Sequence, residues 1–146
     1  MRTATFKIVA VEDDADDRML LDEAFLAIGA AADIKKLADG AQLMHYLDTV
    51  EQPLYPSLIV LDNSLPGSSA LELLVTLKAS TRYGHIPVVI YTTLVSPAAQ
   101  EALMAAGAFA CRTKGLTMKE IIATAHWFKQ LAEGHLHGDV NHSTTI

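Results

Sequence analysis

Five short apolar runs recur along the chain, each followed by a polar, turn-forming stretch and then by apolar residues at helical spacing. Phe6 to Val11 is β-branched and stops at the acids Glu12, Asp13 and Asp14. Asp16 to Ile28 then carries Leu20, Ala24, Ala27 and Ile28 at helical spacing before Gly29, with Asp16 as the expected N-cap. Ala32 to Leu37 contains Lys35 and Lys36, which suits an edge strand, and Ala41 to Val50 follows Asp39-Gly40 with Leu43, Met44 and Leu47 on one helical face. Beyond Pro53 and Pro56, Leu58 to Leu61 is a continuous apolar strand that ends on Asp62, and Ala70 to Ala79 strings Leu71, Leu74, Val75 and Lys78 along a helix. Pro87 introduces the strand Val88 to Tyr91, and Ser96-Pro97 reads as N-cap and first residue of a helix that stops at Gly107. Phe109 to Arg112 is the last strand. Thr117 and Glu120 have capping-box spacing ahead of Ile121, Ile122, Ala125, Trp127, Phe128 and Leu131, and Gly134 ends this helix.

Parallel strands cannot be joined by tight turns, so five β-α units predict an α/β fold with a five-stranded parallel sheet and helices on both faces. In such a sheet the carboxyl ends of the strands face one crevice. The polar residues that follow the apolar runs, Glu12 and Asp13, Asp62, Thr92, and Lys114, therefore converge although they lie far apart in sequence. Trp127 and Phe128 cannot share the centre of one helix face, because adjacent helical residues point about 100° apart.

The chain has 146 residues, 51% of them hydrophobic, enough for the core of one domain. One cysteine excludes an intramolecular disulfide, and no basic, apolar leader precedes the first strand, which together point to a reducing cytoplasmic compartment. No apolar stretch reaches the length of a membrane span. The net charge is -6 and the eleven Lys and Arg residues are scattered, so direct nucleic-acid binding is not expected. Cys111 reads as a small buried apolar residue without activating neighbours. The segment 134–146 is polar and contains His135, His137 and His142; it reads as a flexible tail outside a domain spanning 5–133.

Val9-Ala10-Val11-Glu12-Asp13-Asp14, Leu61-Asp62-Asn63-Ser64-Leu65-Pro66-Gly67, Pro87-Val88-Val89-Ile90-Tyr91-Thr92-Thr93 and Thr113-Lys114, in this order, resemble the receiver domains of two-component response regulators. The resemblance covers roughly residues 5 to 132. The helix start Asp14-Ala15-Asp16-Asp17-Arg18 and the late Trp127-Phe128 look like the stand-alone receivers, including those that partner bacterial phytochromes. The resemblance implies the flavodoxin-like, doubly wound sheet order 2-1-3-4-5, whose switch point lies between the first and third strands.

It also implies a chemistry. Asp62 would accept a phosphoryl group from a sensor histidine kinase or phosphotransfer protein, with Mg2+ held by Asp13, Asp62 and the backbone carbonyl of Ser64, and with Glu12 holding a metal-bound water. Lys114 would pair with Asp62 and then with a phosphoryl oxygen, and Thr92 would donate its hydroxyl to another. The output would be contact with a downstream protein target, with a homodimer through the last helix as one expected assembly. Several positions depart from the family. Cys111 stands where an aromatic residue usually reports phosphorylation, so the signal is expected to travel through the Thr92-Thr93-Leu94 loop. Gly115 replaces the usual proline after the lysine, which makes a trans bond the expectation. Ala70 replaces a usual glycine. Ser64 and Leu94 occupy the positions that tune hydrolysis, and Leu94 cannot orient water, so a long-lived phosphorylated form is expected.

Three rival functions share parts of this pattern. A pseudo-receiver that no longer takes phosphate would have no need of Asp13, Asp62, Thr92 and Lys114 together. A flavodoxin-like electron carrier needs a first loop rich in Ser, Thr and Gly, and Glu12-Asp13-Asp14 would repel a flavin phosphate. A magnesium phosphatase with an aspartyl nucleophile usually carries Asp-x-Asp after the first strand and needs a capping element.

Overall fold

Successive strand residues point to opposite faces of a sheet, so an uninterrupted apolar run must be covered on both. β1 (Ile8–Val11), β3 (Leu58–Leu61) and β4 (Val88–Thr92) are buried along their whole lengths. With β2 (Ile34–Leu37) and β5 (Ala110–Thr113) they form one parallel sheet in the order β2-β1-β3-β4-β5. The structure, a computed structural model, describes residues 6–51, 54–65, 67 and 69–134. Pro53, Pro66 and the histidine-bearing segment 135–146 lie outside the described residues, as does the expectation of a flexible tail.

The helices α1 (Ala15–Ala27), α2 (Gly40–Thr49), α3 (Ala70–Lys78), α4 (Pro97–Ala105) and α5 (Met118–Ala132) divide between the two faces. Ile8, Ala10, Val60 and Val89 pack with Phe25 of α1 and Phe128 of α5. Val9, Val11, Ile59 and Ile90 pack with Leu43 of α2, Leu74 of α3 and Leu103 of α4. The strict alternation along β1 shows why periodicity alone could not orient these strands: both faces are core. The chain leaves β1 toward one face and β3 toward the other, which opens a crevice between their carboxyl ends.

Several local expectations shift. Asp14, not Asp16, caps α1: its Oδ2 accepts the Asp17 N–H at 2.9 Å. Both acids precede the apolar run, and the cap goes to the one whose backbone is extended. The buried stripe of α1 is Leu21, Ala24 and Phe25; Ala27 is exposed, and Leu20 and Ile28 are partly covered. In α3 the core side is Ala70, Leu73, Leu74 and Leu77, whereas Leu71 and Val75 face outward. Each helix offers two apolar stripes at helical spacing, and only the sheet beneath selects one. Lys78 is not part of an apolar face: its ammonium donates to the carbonyls of Gly84 (3.1 Å) and Ile86 (2.8 Å), tying α3 to the entry of β4. Ala31–Asp33 is a 3-10 turn, so β2 begins at Ile34 rather than Ala32. The capping box at Thr117 and the Ser96-Pro97 helix start are as the sequence predicts, and Ser69 with Glu72 forms a second box.

Candidate functional site

Backbone bonds between neighbouring strand ends set the positions of the site residues. Glu12 N donates to Leu37 O at 2.8 Å, Asp62 N to Val11 O at 3.1 Å, and Lys114 N to Thr92 O at 2.8 Å. Glu12, Asp62 and Lys114 are thus each held by the last rung of a ladder, and their side chains leave from fixed points. Glu12 and Asp62 are buried, and Asp13 is exposed at the crevice mouth. One carboxylate oxygen from each of Glu12, Asp13 and Asp62 lies within 4.8 Å of the others.

Lys114 reaches this cluster from the far side of β4. Its Nζ stands 2.6 Å from Glu12 Oε1, 2.7 Å from Asp17 Oδ2 and 3.3 Å from Asp62 Oδ2. Its pairing with Asp62 agrees with the sequence reading, but the two shorter contacts are to Glu12 and Asp17. Asp17, which the sequence shows only as one acid of the helix start Asp14-Ala15-Asp16-Asp17-Arg18, is brought to Lys114 by the fold. The signal was its position one helical turn beyond Asp13, on the side of α1 that faces the crevice. Arg18 adds a further tie by donating Nη1 to the Glu12 carbonyl at 2.7 Å.

The electrostatics follow from burial and charge count. Burial and the hydrogen bond shared with Asp62 push Glu12 up to about 7, against the pull of Lys114 and of the Asp14 N–H. Burial alone would lower Lys114, but hydrogen bonds to Asp17 and Glu12 outweigh it and hold the ammonium above its ordinary value. Glu12, Asp13, Asp17 and Asp62 set four carboxylates against one ammonium, an excess of negative charge that fits a hard divalent cation bound through oxygen.

The remaining walls are polar or inert. Thr92 ends β4, is 3% exposed, and its hydroxyl has no hydrogen-bond partner among the described residues. Ser64 turns its N–H back to Asp62 Oδ1 at 3.1 Å. Cys111 is buried against the α2-α3-α4 core, as expected of a small packing residue, and burial pushes its thiol up. Gly115 has a steric reason: a Cβ there would stand 2.7 Å from Glu120 Cβ. The loop that carries Lys114 is pressed against the first turn of α5, where Leu116 and Thr117 both donate N–H to Glu120 Oε1.

A five-stranded parallel sheet in the order 2-1-3-4-5, doubly wound and with an acidic crevice at its carboxyl edge, is the flavodoxin-like receiver fold. Residues 8–126 match the family model described as the response regulator receiver domain, and the chain belongs to that family. Among solved structures it is similar to the phosphorylated cyanobacterial phytochrome response regulator RcpA, at TM-score 0.78 and 24% identity over 91% of this chain and 97% of that one. It is also similar to the Mn2+-bound form of the response regulator Rcp1, at TM-score 0.70 and 25% identity over 84% of this chain and 91% of that one. A curated relative, the probable methanogenesis regulatory protein FilR2 of Methanothrix harundinacea (strain 6Ac), is 37% identical over 93 residues, which cover 62% of this chain. The match covers 60% of that relative's own length. The family is one of signalling switches rather than metabolic enzymes. Among the described residues no helix is long and apolar enough to cross a membrane.

Proposed function

We propose that this receiver accepts a phosphoryl group on Asp62 from a sensor histidine kinase or phosphotransfer protein, in a magnesium-dependent reaction. The supporting observation is the convergence of Asp13, Asp62, Thr92 and Lys114 from four strand ends onto one crevice. Asp13 and Asp62, with the Ser64 carbonyl, would hold the ion, and Glu12 would orient a water on it. When bound, magnesium supplies neutralisation of the charge on the phosphoryl oxygens.

A carboxylate oxygen of Asp62 is the nucleophile. As its bond to phosphorus forms, the bond from phosphorus to the donor imidazole nitrogen breaks and the electron pair returns to that nitrogen. Lys114 places its ammonium where charge gathers on the transferred group. The Thr92 hydroxyl, without a hydrogen-bond partner among the described residues, offers a donor that the phosphorylated form would use, a contact that differs between two states and so shifts their balance. The output proposed is contact with a downstream protein target. The setting proposed is the cytoplasm. Leu94, 83% exposed beyond Thr92, carries no group to orient an attacking water, which favours slow loss of the phosphoryl group.

The test is incubation with acetyl phosphate and magnesium, followed by intact mass. Wild type should gain one phosphoryl mass, and Asp62→Asn or chelation of the metal should abolish the gain. A folded wild-type protein that gains nothing would favour the pseudo-receiver instead.

A further inference from the structure

Three acidic side chains surround the Lys114 ammonium: it donates hydrogen bonds to Asp17 at 2.7 Å and Asp62 at 3.3 Å and forms an ion pair with Glu12 at 2.6 Å. Glu12 and Asp62 belong to the cluster of acids that fits a cation, but Asp17 does not. It reaches Lys114 from α1, whose first turn is capped by Asp14 and tied by Arg18 to the residue that follows β1. Asp17 N donates to Asp14 Oδ2, and the neighbouring Arg18 donates to the Glu12 carbonyl. Lys114 is 11% exposed and Asp17 32%, so the pair is shielded far more than a surface ion pair. Lys114 also lies 6.0 Å from the Tyr91 ring, which closes another side of the ammonium.

For Lys114 to donate fully to a phosphoryl oxygen, one of these three partners has to be released. We propose that Asp17 is a positioning residue that holds Lys114 back from the acceptor, so that the phosphoryl group must take the ammonium from it. The inference rests on the phosphoacceptor reading above. Asp17 would thereby set how strongly the receiver favours its phosphorylated form, and it would leave Asp62 less neutralised, and so more nucleophilic, before transfer.

The probe is beryllofluoride, a phosphoryl-shaped anion; one structurally similar protein is the BeF3-activated DrrB receiver domain. Its affinity would be measured at saturating magnesium for wild type and variants. Asp17→Asn should bind at least about threefold more tightly. Asp17→Glu, which keeps the charge, should stay near wild type, as should Asp16→Asn, which removes an exposed charge from the same turn. In a Lys114→Gln background, Asp17→Asn should change nothing. Thermal unfolding in chelator supplies the metal-independent check: Asp17→Asn and Lys114→Gln together should lower Tm by less than the sum of the single losses. Wild-type binding with an unchanged or weaker Asp17→Asn, an equal shift in the Lys114→Gln background, or additive Tm losses would overturn this inference alone. No beryllofluoride binding by folded wild type would overturn the acceptor reading, and this inference with it.

Discussion

Glu12 is buried next to Asp62, and Lys114 and the Asp14 N–H only partly offset that burial. Its carboxyl is pushed from 4.5 to about 7, so the folded protein without metal holds a proton there that the unfolded chain has released. The sign follows: this contribution to stability is complete below pH 4.5 and is lost as pH rises through about 7. Other carboxylates titrate over part of the same range, so the comparison is with Glu12→Gln in chelator. The Tm of wild type relative to that variant should fall across this window and level off above it; a difference that is flat or rises with pH would contradict the assignment. The placement of Glu12 and Asp13, of Asp62, of Thr92 and of Lys114 was legible because these four groups stand at the ends of four separate apolar runs. Asp17 was hidden because it lies inside a helix start crowded with acids, where charge alone does not say which one turns inward.

Ladders and caps hold those side chains in register, and one cation outside the site does comparable work. Lys78 spans from the last turn of α3 to the two carbonyls that precede β4, and burial lowers its ammonium from its ordinary value. Lys78→Met keeps the apolar stem but strands both carbonyls, and should cost about 1–3 kcal/mol in denaturant unfolding. A neutral result would mean that water takes over the two bonds. The sequence showed that α3 exists and nearly where it begins and ends. Its facing could not be read, since Leu71 and Val75 compete with Leu73 and Leu77 for the same role, and the difference lies in the sheet rather than in the helix. The same ambiguity displaced the buried stripe of α1 by one residue. Asp14 took the cap from Asp16 for a local reason, backbone conformation, that composition does not carry.

Taken as one molecule, the doubly wound sheet explains how residues more than a hundred positions apart form one site, and the order of its strands was legible only through the family resemblance. Local patterns yielded five β-α units; they contain no information on which strands pair. A protein that gathers this many acids at one edge should be stabilised by the cation that neutralises them. At magnesium about a hundredfold above Kd, the gain is about 2.7 kcal/mol, or a Tm rise of about 5–10 °C for a chain of this size. Asp13→Asn should remove most of that rise, and an undiminished shift would place the ion elsewhere. The position of the acyl phosphate is the most direct test of the central claim. After reaction with acetyl phosphate and magnesium, borohydride reduction and peptide mapping should find homoserine at position 62 and nowhere else. Homoserine at another aspartate, or none in a protein shown to be folded, would contradict the account.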